Sequence, residues 1–138
     1  MATLGANVTS YSNTGLSAST TYSYRVLAAN SAGSAYSPVA SATTLAPPPA
    51  APSGLGATAV GKNQINLTWT DNSNNETGFK IERSTNQTSW TQIATVGANV
   101  IGYSSTGLKS LTTYYYRVRG YNASGNSAYS NSASAKTQ

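Results

Sequence analysis

The stretch from Leu4 to Gly33 is written a second time 92 residues further on, from Val96 to Gly125, and only the second copy follows the sequence that should precede it. Aligned without gaps, Met1 to Ser34 matches Ile93 to Asn126 at 19 of 34 positions. The matches include Gly5-Ala6-Asn7-Val8 against Gly97-Ala98-Asn99-Val100, and Tyr24-Arg25-Val26 against Tyr116-Arg117-Val118. The chain is one and a half repeats. A repeat that cannot bury its own apolar face needs a neighbour, so the half copy raises the question of a partner before any question of chemistry.

A chain of 138 residues can hold one domain and a remainder, which is the division the repeat favours. It has no Cys and no His. Disulfides, thiolate or imidazole metal sites and nucleophile schemes with a His base are thereby excluded. Only 8% of residues are charged, and Ser, Thr, Asn, Ala, Gly and ten Tyr take up much of the rest. This is the make-up of an all-β surface or secreted protein made soluble by hydroxyls and amides. The net charge is +5, but the eight basic residues form no cluster, so no nucleic-acid partner is expected. No apolar run approaches the ~20 residues of a membrane helix, so membrane insertion is not expected. The N-terminus has no signal-peptide pattern. Because Met1 aligns inside a repeat, the natural start is expected upstream of it, and the missing signal says nothing about export.

Leu45-Ala46-Pro47-Pro48-Pro49-Ala50-Ala51-Pro52 cannot enter a sheet interior, because proline lacks the amide donor; it reads as a semi-rigid linker. The expected division is therefore a C-terminal half repeat over residues 1–45, a linker over 46–52 and a complete domain over 53–138. Ile65, Leu67 and Trp69 share one face of a strand, with Asn66 and Thr68 on the other. Phe79 and Ile81 repeat the pattern, with Lys80 and Glu82 outward. Between them, Asp71 to Gly78 is a run of turn-forming residues and reads as a surface loop. Further strands are expected around Trp90–Val96 and Val100–Tyr103, from Thr113 to Asn122 and from Ala128 to Ala135. Short strands separated by turns, with no helical period, indicate a β-sandwich. In the Thr113 strand, Tyr114, Tyr116 and Val118 face one way and Tyr115, Arg117, Arg119 and Tyr121 the other. Leu108 to Tyr114 reads as a tyrosine corner, a Tyr near a strand start bonding back to upstream backbone.

On these residues the block from Pro52 to Gln138 resembles a fibronectin type III domain. The resemblance rests on Pro52 and Leu55, Ile65-Asn66-Leu67-Thr68-Trp69, Gly78-Phe79-Lys80-Ile81-Glu82-Arg83-Ser84, the corner, Tyr116-Arg117-Val118 and Asn122-Ala123-Ser124-Gly125. It is similar above all to the bacterial extracellular version found in secreted polysaccharide-degrading enzymes and cell-surface proteins. The resemblance implies a seven-strand immunoglobulin-like sandwich and an extracellular setting. It implies little about function, since the family mostly spaces, presents or binds. On its plan, residues 1–45 correspond to the end of strand C′ and strands E, F and G, with A, B and C missing. The Arg-Gly-Asp triplet of some animal members is absent, because Arg119-Gly120 is followed by Tyr121.

Asp71, Glu76 and Glu82 are the only carboxylate side chains. A glycosidase needs two at a set separation in a cleft, which a short-looped sandwich does not provide, so turn and structural roles are expected and no enzyme activity. Calcium binding has little support, since the loop lacks EF-hand spacing; no metal or cofactor is expected. Tyr115, Arg117, Arg119 and Tyr121 form a possible binding face for sugar rings or protein, against the plainer reading of strand propensity and a Glu82–Arg117 cross-strand pair. Asn7, Asn66, Asn75, Asn86 and Asn122 open Asn-x-Ser/Thr triplets that arise readily in so Asn- and Thr-rich a chain. Trp69 and Trp90 read as core residues.

In the half copy, Tyr11, Leu16, Tyr22, Tyr24 and Val26 hold core positions whose covering strands do not precede them. At ~1.5–3 kcal/mol for each large apolar side chain, exposing five forfeits on the order of 10 kcal/mol. That is the scale of a whole domain's stability, ~5–15 kcal/mol. These residues are the possible assembly face. Their cover is expected from neighbouring domains of a longer tandem array or from other copies of the chain, by strand exchange or by two-fold pairing. Exchange alone leaves a late half unpaired, because each chain has two late halves and one early half, so the tandem array is the default. Functionally the chain reads as a non-catalytic spacer or presentation module. The alternatives are a subunit that self-assembles into a fibre or surface layer, and a carbohydrate-binding accessory domain with polysaccharide as its partner. A peptide of residues 1–45 is expected to show no cooperative thermal transition by circular dichroism.

Overall fold

The alternation of apolar and polar residues resolves into antiparallel strands throughout the computed structural model, which describes residues 1–138. In chain order these are β1 (Thr21–Tyr24), β2 (Leu27–Asn30), β3 (Gly33–Tyr36), β4 (Ala40–Thr43), β5 (Ser53–Ala59), β6 (Ile65–Thr70), β7 (Gly78–Ser84), β8 (Thr91–Gly97), β9 (Gly102–Ser105), β10 (Thr113–Asn122), β11 (Gly125–Asn126) and β12 (Ala133–Lys136). There is no helix. The chain divides into an N-terminal unit, Met1–Ala46, and a C-terminal unit, Pro47–Gln138.

In the C-terminal unit one sheet runs β5-β6-β9, and the other runs β8-β7-β10 with β11 and β12 both on the far edge of β10. The inward residues are those the period-two pattern selected. Ile65, Leu67 and Trp69 of β6, Phe79 and Ile81 of β7, and Tyr114, Tyr116 and Val118 of β10 are all buried, with Leu55 and Leu108 closing the core. Trp69 meets Phe79 edge-to-face, with ring centroids 5.7 Å apart. This arrangement lets the positive ring edge meet the negative ring face. The tyrosine corner is formed: the Tyr114 hydroxyl accepts a hydrogen bond from the Lys109 amide at 3.1 Å.

One expectation is corrected here. The last strand does not begin at Ala128: it runs from Ala133 to Lys136. Ahead of it the chain leaves the ladder, and the hydroxyls of Ser127 and Ser130 accept from the Gly120 and Val118 amides at 2.9 and 3.0 Å in place of backbone carbonyls. The semi-rigid proline segment is tied to the C-terminal unit along part of its length. The Pro47 carbonyl accepts from the side-chain amides of Asn75 and Asn122 at 3.0 and 2.9 Å. Pro49 and Pro52 are buried.

The N-terminal unit repeats the late half of this plan. β1 pairs with β4 as β10 pairs with β12, and β2 pairs with β3 as β10 pairs with β11. The corner recurs, with the Tyr22 hydroxyl accepting from the Ser17 amide at 3.0 Å. Backbone dihedrals recur too: Asn7, Gly15 and Ser19 have φ of 63°, 73° and 51°, against 60°, 68° and 54° at Asn99, Gly107 and Leu111. The expected strand E is not formed at Ser10–Asn13. Its counterpart β9 is held by β6, and the N-terminal unit contains no such strand. Of the five assembly-face residues, Tyr11, Tyr24 and Val26 are 57%, 37% and 70% exposed, and Leu16 and Tyr22 are half-buried. Their counterparts Tyr116 and Val118 are fully enclosed, which measures what the missing sheet would cover.

Gly78 opens β7 where its backbone lies against the Val96 carbonyl of β8, and a Cβ added there would collide with that oxygen. Gly78→Ala is expected to destabilise the C-terminal unit by about 2 kcal/mol in urea titration, because rigid backbone must shift. Gly97→Ala, with open space around its Cβ position, is expected to stay within about 0.5 kcal/mol of wild type.

Candidate functional site

The β7–β10 pairing sets Arg117 opposite Glu82 and Arg119 opposite Lys80. The side chains that point away from the core along β10 are Tyr115, Arg117, Arg119 and Tyr121, as expected, and all four are half-buried. Glu82 points outward as expected, and it is buried on this outer face. Its Oε2 accepts from Arg117 Nε and Nη2 at 2.8 and 2.6 Å. Arg119 Nη2 lies 3.3 Å from Oε1, and the Tyr129 hydroxyl donates to the same oxygen at 2.8 Å. One carboxylate thus serves two guanidiniums and a phenol.

Two further aromatics close over the pair. The Arg117 guanidinium lies 3.8 Å from the Tyr129 ring centroid and 4.4 Å from that of Trp90, and Arg119 lies 4.7 Å from Tyr129. Trp90 is therefore not the core residue expected. It is half-buried on the outer face, with its indole N–H donating to the Gln87 carbonyl at 3.1 Å. The guanidinium of Arg117, which could have stacked on a ligand, already carries rings from the chain itself. At the end of the row, Tyr121 sits 4.9 Å from Lys80 Nζ, which in turn donates to Asn126 Oδ1 at 2.9 Å. Tyr129 and Trp90 were not singled out for this face. The signal for Tyr129 is its recurrence as Tyr36, visible once the repeat is aligned past Ser34 with a one-residue gap.

Burial of Glu82 works against its charge, but hydrogen bonds from Arg117 and Tyr129, together with the fields of both guanidiniums, outweigh it. Its carboxyl is held below the ordinary value of 4.5. Tyr129 is pushed up, first by burial and then by donating to a carboxylate that gains nothing from its ionisation.

The other two carboxylates are spent on loop geometry. Asp71 Oδ1 accepts from the Ser73 amide at 3.0 Å, and Glu76 accepts from the Ser73 hydroxyl at 2.6 Å and the Asn99 amide at 3.2 Å. The Ser73 bond is the largest cause of a lowered Glu76 pKa. No three carboxylate, His or Cys side chains gather in one place. Among the Asn-x-Ser/Thr triplets, Asn75 and Asn122 have their side-chain nitrogens bonded to Pro47.

A two-sheet antiparallel sandwich with a tyrosine corner defines the immunoglobulin-like class of β-protein. Residues 50–136 match the family model described as fibronectin type III domain. The chain belongs to the fibronectin type III family. It is 34% identical over 151 aligned residues to chitinase A1 of Niallia circulans, covering 99% of this chain and 20% of that protein. It is 33% identical over 141 residues to exoglucanase B of Cellulomonas fimi, covering 92% of this chain and 12% of that protein. Among solved structures, a Fn3-like protein from Clostridium thermocellum superposes with a TM-score of 0.56 at 30% identity, over 65% of this chain and 94% of that one. The chain thus spans a fifth or less of the length of these two enzymes.

Glu82 ionises more readily in the folded than in the unfolded chain, so its contribution is complete above about pH 4.5 and is lost as pH falls through its depressed value. Thermal melts are expected to shift down on acidification below that point. Glu82→Gln should melt lower at pH 7, by roughly 2 kcal/mol because Arg117 keeps a quarter of its side chain in water. It should also lose most of the acid dependence, whereas Glu76→Gln, on a surface loop, should keep most of it.

Proposed function

We propose that the chain is a non-catalytic extracellular module that spaces or presents neighbouring domains in a secreted or cell-surface bacterial protein, of the kind that degrades polysaccharides. The observation that carries this reading is the chitinase A1 match, which runs through 99% of this chain while taking up 20% of that protein. A half repeat followed by a full sandwich thus has a similar stretch inside a longer protein, where it makes up a minor part. The chemistry of the carboxylates supports the same reading. All three are engaged in turns or in the Glu82 cluster, which leaves no acid pair free for glycoside cleavage.

The sugar-binding reading has less support. Arg117 is stacked on Tyr129 and Trp90, and Lys80 stands over Tyr121, so most planar surfaces of the row are engaged within the fold. An assembly role draws on a different feature, the exposed apolar side chains of the N-terminal unit.

A polypeptide of residues 47–138 is expected to sediment as a monomer, to melt cooperatively and to pass through insoluble chitin and cellulose without retention. Retention that disappears in Tyr115→Ala and Tyr121→Ala would replace the spacer reading with carbohydrate binding.

A further inference from the structure

The eight basic residues, scattered along the sequence, are sorted by the fold. Arg25, in the N-terminal unit, lies 4.0 Å from the Tyr36 ring centroid. Lys80, Arg117 and Arg119 belong to the outer face of β7 and β10. The remaining four, Lys62, Arg83, Lys109 and Lys136, come to one end of the C-terminal sandwich. Lys62 is held there between two backbone bonds, from the Gln138 amide to the Gly61 carbonyl at 3.1 Å and from the Leu108 amide to the Asn63 carbonyl at 3.0 Å. The Lys109 amide bonds the Tyr114 hydroxyl, and Lys136 stands opposite Thr113. None of the four takes part in the chain's two salt bridges. Asp71 and Glu76 lie in the loop before β7, and the length of that strand sets them roughly 20 Å from its far end, where solvent ions screen them. Glu82 is already shared between Arg117 and Arg119.

Arg83 differs from the three exposed lysines. It continues the inward row of Phe79 and Ile81 and is half-buried at the end of the core. Its guanidinium carbon lies 5.2 Å from the Tyr114 ring centroid, and Nη1 donates to Ser105 Oγ at 3.5 Å, the long limit of a hydrogen bond. A cation drawn partly out of water normally has an anion beside it, and Arg83 has none. It opens instead onto a shallow pocket of about 290 Å³, lined also by Thr85, Asn86, Ser89, Thr91 and Tyr114. Asn86 Oδ1 is already used, accepting from the Thr88 and Ser89 amides at 3.0 and 2.9 Å. The Asn86 side-chain nitrogen and the hydroxyls of Thr85, Ser89 and Thr91 make no hydrogen bond within the chain.

We propose that this pocket binds an acidic sugar, a uronic acid residue of a polysaccharide, with its carboxylate on Arg83 and its hydroxyls on Asn86, Thr85, Ser89 and Thr91. The two oxygens of a planar carboxylate match two N–H groups of the guanidinium fork, which a lysine does not offer. Free hydroxyls and an amide around that cation suit the hydroxyls of a sugar ring, and the volume is that of a small site. The three lysines at the same end attract the further carboxylates of a polymer. The site is separate from the Tyr115–Tyr121 row. It goes beyond the spacer reading without depending on it, because neutral chitin and cellulose offer Arg83 no anion.

The test titrates the full chain with trigalacturonic acid and follows backbone amide shifts by NMR. The expected result is saturable binding with shifts centred on residues 83–91, and none with neutral galactotriose. Thr91 is exposed and lies directly across the β7–β8 ladder from Arg83, so Thr91→Glu supplies a carboxylate from within the chain. It should weaken binding by about tenfold or more while the melt stays level or rises. Thr95→Glu makes the same change of net charge opposite Lys80 and should leave binding within about twofold. Arg83→Lys keeps the charge, loses the fork, and should weaken binding by about tenfold. No binding at millimolar sugar, equal weakening by Thr95→Glu, or binding indifferent to Arg83→Lys would overturn the proposal. Equal binding of triglutamate, oligophosphate or single-stranded DNA at the same residues would overturn it too, because charge alone, without a sugar, would then account for the site.

Discussion

Seven successive residue pairs between β7 and β10 hold the sandwich in its form, and both faces of the sheet follow from them. Because side chains alternate across a strand, a register that sends Tyr116, Val118 and Ile81 inward must also set Arg117 opposite Glu82 on the outside. The core and the charged cluster are two consequences of one alignment. Where the pairing is absent, in the N-terminal unit, the strand equivalent to β10 is broken between Tyr24 and Leu27, and Val26 stands in solvent. The same short sequence is thus seen with and without its partner strand. What survives alone is the local part: the corner, the left-handed turns and the serine and threonine bonds to backbone. What fails is everything that needs a strand from the other half.

The outer cluster bears on function through what it uses up. A carboxylate buried beside two guanidiniums is stable only because each of its oxygens is hydrogen-bonded and because two aromatic rings flank the guanidinium of Arg117. The guanidinium of an arginine held in this way is already engaged within the fold. Tyr115 and Tyr121, at the two ends of the row, are less committed. The face is better described as a fastening between β7, β10 and the β11–β12 connection than as an open platform. The stretches related to this chain make up 20% of that chitinase and 12% of that exoglucanase.

Much of this was legible in the residues. Alternation in Ile65-Asn66-Leu67-Thr68-Trp69 and in the Thr113–Asn122 strand named the core side chains, because burying one face of a pleated strand requires period two. The corner was legible because it is made within six residues. The cluster was only half legible. Arg117 and Glu82 could be set opposite each other, but Tyr129 reaches the carboxylate from a segment that leaves its strand, and Trp90 comes from the loop before β8. No periodicity records an interrupted strand whose amide partners are serine hydroxyls. The packing of Pro47 against Asn75 and Asn122 was likewise invisible, since a proline run reads the same whether it is free or tied down.

The sequence by itself determined the unit of folding, the composition that excludes thiol and imidazole chemistry, and the incompleteness of the first copy. These are properties of residue order, and counting one repeat against the other exposes them. Tertiary structure alone decided which strands form in the half copy, where Trp90 goes, and that Glu82 is buried and shared, with Arg25 left beside Tyr36 without a carboxylate. The physical reason is that turns and corners are settled by neighbours a few residues away, whereas a sheet edge and a buried charge are settled by groups distant in the chain. Burial and pairing exist only once those groups have met.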